Sequence, residues 1–230
     1  MNGRNKILVP LVTLLGMVLS CQGLLMAQSR KENPALDAKV KKFLEAQAYQ
    51  WRDMNIPDVD GKTLFDLIVK NNYKSALEIG TSTGHSGIWM AWALSRTGGK
   101  LITLEIDQSR HQQAIANFKE AGLSEYIDAR LADAHQLVKE LPGPFDFVFS
   151  DADKEWYKNY FLAISPKLKV GGCFTAHNIR DSRGGRGFGR GGRGAQEYLD
   201  YVQSLTNYET TVESSGGGIS ISYKNQKNEP

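Results

Sequence analysis

The stretch "SALEIGTSTGHSG" (residues 75–87) joins an apolar run to a turn that contains three glycines. Because glycine lacks a side chain, Gly80, Gly84 and Gly87 let the backbone turn sharply and come close to a ligand before the next helix begins. The spacing G-x3-G-x2-G differs from the G-x-G-x-x-G of dinucleotide-binding turns, and the Gly-Lys-Ser/Thr of a phosphate-binding P-loop does not follow. The stretch therefore predicts a strand, a ligand-binding turn and a helix.

Beyond this turn, apolar runs alternate with helical patterns. The runs that predict strands cover residues 75–80, 100–106, 126–132, 145–150 and 171–177. Alternation of this length predicts an α/β fold, in which helices cover both faces of a parallel sheet. The last two runs, 208–214 and 218–224, leave no room for a crossover and predict an antiparallel hairpin at the sheet edge. Residues 33–74, before the first strand, have a helical pattern.

The composition is that of one globular domain. Of the 230 residues, 41% are hydrophobic and 23% are charged, which is enough for a sizeable core. The formal net charge of +3 does not by itself argue for a nucleic-acid or membrane partner. The two cysteines, Cys21 and Cys173, provide neither a disulfide framework nor a cysteine-based metal site.

The N-terminal segment, residues 1–29, differs in character from the rest of the chain. Arg4 and Lys6 precede fifteen residues without a charge, and small residues follow. This layout is typical of a secretory signal, which would be cleaved after Ala27. Two alternatives stay open: Cys21 could carry a lipid, and the segment could be an uncleaved membrane anchor. The segment thus predicts export or membrane anchoring, with the domain facing the cytoplasm if the anchor is uncleaved.

Residues 180–194, "RDSRGGRGFGRGGRG", contain seven glycines and five arginines. Such a composition predicts a flexible loop. Because the segment follows the end of a strand, where open α/β sheets bind ligands, we favour a loop over the pocket. The alternative is anion or RNA binding, in which arginines pair with phosphates and Phe188 stacks on a base.

Two further positions support a nucleoside-binding site. Glu105 closes the second predicted strand, twenty-five residues after Gly80, where a carboxylate can accept hydrogen bonds from both hydroxyls of a ribose. Asp133, Ala134 and His135 follow the third predicted strand, where an adenine ring would rest. The glycine turn and these residues together favour a cofactor that contains adenosine.

Four motifs combine in this chain: "ALEIGTSTGHSG", "KLITLEID", "DARLADA" and "FDFVFSDADKEWYKNYF". With them the chain resembles the class I O-methyltransferases of the catechol and caffeoyl-CoA type, which use S-adenosylmethionine. The likeness runs from about Met54 to Tyr223. It implies a Rossmann-like, seven-stranded, mostly parallel sheet with an antiparallel C-terminal hairpin strand. It also implies a methyltransferase domain over residues 75–226, an N-terminal helical segment over residues 30–74, and a homodimer.

The resemblance also implies which residues bind the cofactor. Gly80 and Ser86 would hold its methionine end, Glu105 its ribose, and Ala134 and His135 its adenine. The full implied set is Ile56, Glu78, Gly80, Ser82, Gly84, Ser86, Glu105, Ile106, Ala134, His135 and Asp151.

The fourth predicted strand ends in "SDADK" (residues 150–154), at the same sheet edge as the glycine turn. The resemblance implies that Asp151 binds a divalent metal such as Mg or Mn, and that Lys154 removes the proton of the substrate hydroxyl. An oxygen-bound cation lowers the pKa of a coordinated hydroxyl, and a nearby dication favours the neutral form of an amine. We interpret Asp153 as the cap of the following helix.

The segment "TAHNI" (residues 175–179) departs from the family pattern. His177 stands where the family usually has a metal-binding aspartate, whereas Asn178 matches the pattern. Imidazole is a poorer ligand for Mg²⁺ and a better one for Mn, Fe or Zn. Three outcomes stay open: a transition-metal site formed by Asp151, His177 and Asn178, a weak Mg²⁺ site, or a site without metal in which His177 is the general base.

The function that the sequence favours is S-adenosylmethionine-dependent O-methylation of a small hydroxylated substrate, aromatic or catechol-like by family resemblance. The alternative is an exported, non-catalytic binding module of the same fold that uses the Arg/Gly-rich loop for anions or RNA. Export would separate the domain from a cofactor that is made in the cytoplasm, which favours this alternative. A nicotinamide-dependent oxidoreductase is disfavoured by the glycine spacing.

Overall fold

The computed structural model describes residues 32–51, 54–180 and 192–226. The predicted signal or anchor at residues 1–29 lies outside these ranges, as do residues 181–191 of the Arg/Gly-rich segment. Within the described ranges, no helix has both the length and the apolar character needed to cross a membrane. Export, anchoring, RNA binding and dimerisation therefore stay predictions.

The described residues form one mixed sheet of seven strands in the order β3-β2-β1-β4-β5-β7-β6. Strands β1 to β5 run parallel, whereas β7 is antiparallel to both of its neighbours, β5 and β6. This arrangement confirms the predicted Rossmann-like sheet and its C-terminal hairpin. The strands are β1 (Ser75–Ile79), β2 (Lys100–Glu105), β3 (Ile127–Leu131), β4 (Phe145–Ser150), β5 (Leu168–His177), β6 (Tyr208–Glu213) and β7 (Ile219–Lys224).

Helices cover both faces of the sheet because successive strand side chains point to opposite sides. On one face, Leu77 and Ile79 pack into a core shared with the last three helices, and on the other Ala76 and Phe147 pack against the second and third helices. The helices are α1 (Pro34–Gln47), α2 (Asp58–Asn71), α3 (His85–Thr97), α4 (Gln108–Ala121), α5 (Ala134–Glu140), α6 (Tyr157–Ile164) and α7 (Gly192–Gln203).

Two helices begin at the carboxyl edge of the sheet because an aspartate follows each preceding strand. The side chain of Asp107 accepts a hydrogen bond from the backbone N–H of Arg110 and caps α4. Asp133 caps α5 in the same way, accepting from the backbone N–H of His135. Short caps of this kind satisfy free N–H groups of the first helical turn. They fix the start of each helix beside the end of β2 or β3.

Two predicted boundaries are wrong. The helical pattern predicted to run to Met54 ends at Gln47, and Trp51 then stacks on the ring of His85 at a centroid distance of 4.5 Å, away from the helix axis. The predicted loop 180–194 also includes three residues, 192–194, that form the start of α7. Tertiary packing explains this second difference, because Gly194 is buried against the backbone of Glu155.

The close contact at Gly194 generates a prediction about stability. A Cβ atom added there would lie 2.5 Å from the Cα of Glu155 and 2.5 Å from the carbonyl oxygen of Lys154. Alanine favours a helix by about 0.5–1 kcal/mol over glycine, but overpacking against backbone costs about 1–3 kcal/mol. We expect Gly194→Ala to lower the free energy of unfolding by about 1–2 kcal/mol, measured by urea denaturation.

The control for this substitution is Gln203→Ala, at the exposed end of the same helix. We expect it to stay within about 0.5 kcal/mol of the unmodified chain, as surface substitutions usually do. A Gly194→Ala variant as stable as the control would contradict the packing argument.

Candidate active site

A cavity of about 550 Å³ opens at the carboxyl ends of β1, β2, β4 and β5. Its volume lies within the range of about 300–1,000 Å³ that is usual for small-molecule sites. The location is the one at which open α/β sheets bind ligands. Its wall includes Met54, Asn55, Gly80, Thr81, Ser82, Ser86, Leu104, Glu105, Ile106, Arg110, Ala132, Asp133, Ala134, His135, Asp151, Ala152, Asp153, Lys154, Tyr160, His177 and Asn178.

The glycine turn lies directly against the end of β4. Gly80 has a φ of +100°, and a Cβ atom added there would lie 2.9 Å from the backbone oxygen of Asp151. The backbone N–H of Asp151 donates to the carbonyl oxygen of Ile79 at 2.9 Å, and the N–H of Gly80 donates to that of Leu104 at 3.0 Å. Glycine is therefore required by both its conformation and its surroundings. The contact brings the turn and Asp151 into one wall.

Glu105 is held in the cavity wall at the end of β2. Its Oε2 accepts from the backbone N–H of Ser82 at 2.7 Å, and its Oε1 accepts from the N–H groups of Ile106 and Asp107 at 3.0 and 2.9 Å. A carboxylate has about four acceptor positions, so at least one remains for a ligand hydroxyl. The three amides fix the direction in which the carboxylate points.

Glu78 lies behind the wall rather than in it. Its side chain is fully buried and accepts hydrogen bonds from the hydroxyls of Ser86 and Thr103. Burial raises the pKa of Glu78 from 4.5 to about 8; the two hydrogen bonds oppose this rise, and the charges of Asp151 and Glu105 add to it. Glu78 therefore supports Ser86, which does line the cavity.

The structure brings eight of the eleven predicted cofactor residues to one cavity: Gly80, Ser82, Ser86, Glu105, Ile106, Ala134, His135 and Asp151. The other three, Ile56, Glu78 and Gly84, do not line this cavity, and their part in cofactor binding stays a prediction. The carbonyl oxygen of Ile56 accepts from Nδ1 of His85 at 2.9 Å, and a Cβ atom on Gly84 would lie 2.6 Å from Phe118. Ile56 and Gly84 thus support the glycine turn from outside the cavity, as Glu78 does.

His135 forms a flat surface on the α5 side of the cavity. Its ring stacks on that of Trp156 with a centroid distance of 3.8 Å and an interplanar angle of 18°. Its Nε2 lies 3.4 Å from a carboxylate oxygen of Asp153. Trp156 was missed by the sequence analysis, although the aromatic run "EWYKNY" (residues 155–160) could have indicated it. The stack suits contact with a planar ring.

Asp151 is the centre of a charged cluster at the end of β4. Its Oδ1 accepts from Nζ of Lys154 at 3.1 Å, and its Oδ2 accepts from Nδ1 of His177 at 3.1 Å. The hydroxyl of Tyr157 lies 3.4 Å from Oδ1 of Asp151 and 3.1 Å from the carbonyl oxygen of His177. The predicted proximity of Asp151 and Lys154 is therefore present in the structure. Asp153 caps the following turn, as interpreted, by accepting from the N–H of Glu155 at 3.1 Å.

Asp60 of α2 is the functional residue that the sequence analysis missed. Its side chain is fully buried, and its Oδ2 accepts from Nε2 of His177 at 2.9 Å. The same oxygen accepts from the backbone N–H of Gly217 at 2.7 Å. In the sequence, the three glycines at residues 216–218 indicate that another group lies close to the backbone there, but they do not identify Asp60 as that group.

His177 is enclosed by the two carboxylates. Burial by itself lowers the pKa of an imidazole, but the hydrogen bonds and charges of Asp151 and Asp60 outweigh burial and raise the pKa of His177 from 6.5 to about 9. The two contacts place both ring nitrogens against carboxylates and favour the protonated ring. In that form both nitrogens are donors, and neither has a lone pair for a metal ion.

The geometry does not match the predicted metal site. Both ring nitrogens of His177 face carboxylates rather than a point shared with Asp151 and Asn178, although all three residues line the cavity. Across the described ranges, no group of three or more His, Cys, Asp or Glu side chains is arranged to hold a metal ion. The role of His177 as general base stays a prediction.

The sequence is similar to those of known O-methyltransferases. The O-methyltransferase family profile matches residues 26–181. The catechol O-methyltransferase of Niastella koreensis is 43% identical over 128 residues, 54% of this chain and 58% of that protein. Caffeoyl-CoA O-methyltransferase 1 of Eucalyptus globulus is 33% identical over 135 residues, 56% of this chain and 54% of that protein. The chain thus spans little more than half the length of these curated relatives.

The fold also matches a solved structure. An O-methyltransferase from Bacillus cereus, crystallised in complex with SAH, superposes with a TM-score of 0.66 and 22% sequence identity. The match covers 84% of this chain and 92% of that chain. At this identity the likeness concerns the fold.

The buried Glu78 generates a prediction about pH. A carboxyl group with a raised pKa stabilises the folded state below its unfolded pKa of 4.5, and this contribution is lost as the pH rises through about 8. Glu78→Gln keeps the shape and stays neutral, so we expect its Tm to fall less than that of the unmodified chain between pH 5 and pH 8.5. The expected difference is roughly 4 °C or more in a scanning calorimeter, since 1 kcal/mol shifts Tm by about 2–4 °C.

Glu140→Gln, at an exposed position of α5, is the matched control and should follow the unmodified chain. If Glu78→Gln and Glu140→Gln show the same pH dependence, Glu78 does not titrate in this range.

Proposed function

The chain belongs to the O-methyltransferase family, and on that premise we propose that it transfers the methyl group of S-adenosylmethionine to a hydroxyl oxygen of a small acceptor. The observation that carries the proposal is that Glu105 and the Asp151–Lys154 pair open onto the same cavity. A cofactor held at Glu105 and an acceptor held at Lys154 would therefore meet at one sheet edge. The SAH bound to the Bacillus cereus protein supports this choice of cofactor.

We assign the cofactor to the wall between the glycine turn and α5. Glu105 accepts hydrogen bonds from the ribose, Gly80 and Ser86 border the methionine end, and the stacked ring of His135 faces the adenine. When bound, S-adenosylmethionine supplies a methyl group on a positively charged sulfur, which takes the electron pair of the broken S–C bond when oxygen attacks.

The acceptor hydroxyl lies at Lys154 in this proposal. In its neutral form the amine of Lys154, whose Nζ lies 3.1 Å from Oδ1 of Asp151, binds the acceptor oxygen and takes its proton to become an ammonium. Asp151 fixes the direction of the amine, so that the oxygen lone pair points at the methyl group. The contribution of these residues is positioning together with proton transfer. The metal assistance expected from the family is not part of the proposal, because the ligand set is not formed.

We assign a small hydroxylated aromatic molecule as the acceptor. The cavity has to hold the cofactor as well, which limits the size of the acceptor. The names of the relatives, catechol and caffeoyl-CoA O-methyltransferase, support a phenolic compound. The apolar part of the wall, which can contact an aromatic ring, includes Met54, Leu104, Ile106 and Tyr160.

The cofactor assignment predicts the effect of Glu105→Ala. Loss of hydrogen bonds to a charged group costs about 1.5–3 kcal/mol, so the affinity for S-adenosylmethionine should fall roughly tenfold or more. Isothermal titration calorimetry measures this, and a thermal melt verifies folding. The control is Glu125→Ala, an exposed glutamate beyond α4. No binding of S-adenosylmethionine by the unmodified chain would end the proposal.

The acceptor assignment predicts the effect of Lys154→Met. Removal of a proton-transfer group lowers turnover roughly 10²–10⁴-fold, whereas the affinity for S-adenosylmethionine should stay within about twofold. Turnover is measured as SAH formed with a panel of simple catechols and phenols. Lys158→Met removes a lysine that pairs with Glu197 on the outside of α6 and should keep full activity. Equal turnover in both variants would remove Lys154 from the reaction.

A further inference from the structure

A row of three side chains joins the cavity to the interior: Asp151, His177 and Asp60. The three come from different parts of the fold: Asp151 directly follows β4, His177 ends β5 and Asp60 lies in the first turn of α2. Nδ1 and Nε2 of the ring lie 3.1 and 2.9 Å from one oxygen of each carboxylate. The side chain of His177 is only 5% exposed. The ring is thus fixed from both sides.

The turn between β6 and β7 closes over this row. The backbone N–H of Gly217 donates to Oδ2 of Asp60 at 2.7 Å, and a Cβ atom added to Gly217 would lie 2.3 Å from Nε2 of His177. Oδ1 of Asp60 has no hydrogen-bond partner among the described residues and lies against Gly216, where an added Cβ atom would be 2.4 Å away. The turn leaves no room for an ion beside the Asp60–His177 contact.

In this row the ring of His177 separates the carboxylates of Asp60 and Asp151. Two carboxylates that face the same small volume repel each other and need a cation between them. A divalent metal is one solution, and it needs free oxygen or nitrogen lone pairs directed at one point. Here the imidazole occupies the space between Asp60 and Asp151, and each ring nitrogen lies within hydrogen-bond distance of a carboxylate oxygen that an ion would need.

We propose that His177, bridging Asp60 and Asp151, takes the place of the divalent metal that the family resemblance implies, so that methyl transfer by this chain needs no divalent cation. The inference rests on the proposed function for the transfer itself. His177 and Asp60 are positioning residues. His177 contacts Oδ2 of Asp151 and is itself fixed by Asp60, whereas Lys154 contacts Oδ1 of Asp151.

The first test uses the unmodified chain. After treatment with EDTA and dialysis, we expect turnover to stay within about twofold of that measured with 1 mM Mg²⁺ or Mn²⁺. A Mn²⁺ titration followed by electron paramagnetic resonance should show no bound ion up to roughly 1 mM. Turnover that is lost with EDTA and restored by either ion overturns the inference. Mn²⁺ binding to the unmodified chain that is absent from the Asp151→Asn variant also overturns it.

The second test is His177→Asp, which removes the bridging ring and supplies the carboxylate usual in the family. We expect this variant to bind Mn²⁺, with turnover that disappears in EDTA and returns with Mn²⁺ or Mg²⁺. A folded variant without Mn²⁺ binding would show that His177 is not what replaces the metal. His111→Asp, on α4 and outside the cavity lining, is the control and should gain no ion binding.

The Mn²⁺ titrations need neither cofactor nor acceptor, so they separate the two proposals. Failure of the proposed function appears as no binding of S-adenosylmethionine and no turnover under any condition. Failure of the present inference appears as Mn²⁺ binding to the unmodified chain that is lost in Asp151→Asn, whatever the activity. If His177→Asp does not fold, the titration of the unmodified chain still decides the question.

Discussion

The site depends on the contact between Gly80 and the backbone that follows β4. A Cβ atom added to Gly80 would lie 2.9 Å from the carbonyl oxygen of Asp151 and 3.0 Å from the backbone nitrogen of Ala152, and the N–H of Asp151 donates to the carbonyl oxygen of Ile79. This contact brings the cofactor side of the cavity and the Asp151–Lys154 pair into one wall. A larger residue would push the two apart, and a methyl group and an acceptor oxygen would no longer meet.

This wall and the layer behind it contain acidic groups that are stabilised in different ways. Glu105 accepts hydrogen bonds from three backbone amides, whereas Asp151 contacts the side-chain nitrogens of Lys154 and His177. Glu78 accepts hydrogen bonds from two hydroxyl groups, and burial raises its pKa, so that its neutral form dominates below about pH 8. If all three groups were ionised without these partners, their repulsion would oppose the close contact of β1, β2 and β4.

The sequence predicted those parts of the site that follow from local patterns. Glu105 and Asp151 could be predicted because each ends its own strand, and parallel strands bring their carboxyl ends to one edge. Asp60 could not be predicted, because its partner His177 lies 117 residues away and no periodicity links a helix start to the end of β5. The first turn of α7 was missed for a related reason: packing of Gly194 on Glu155 outweighs the low helix propensity of its glycines.

The proposed replacement of a metal by a histidine would change what the site does to an acceptor. A bound cation contacts the acceptor oxygen directly and lowers the pKa of its hydroxyl. The ring of His177 contacts Asp151 instead and is nearly buried, so in this proposal it acts on the acceptor only through the carboxylate. Proton removal would then depend on Lys154. A cation can also bind two neighbouring oxygens of one acceptor at once, whereas Lys154 would bind one, so under this proposal a single hydroxyl would suffice for recognition.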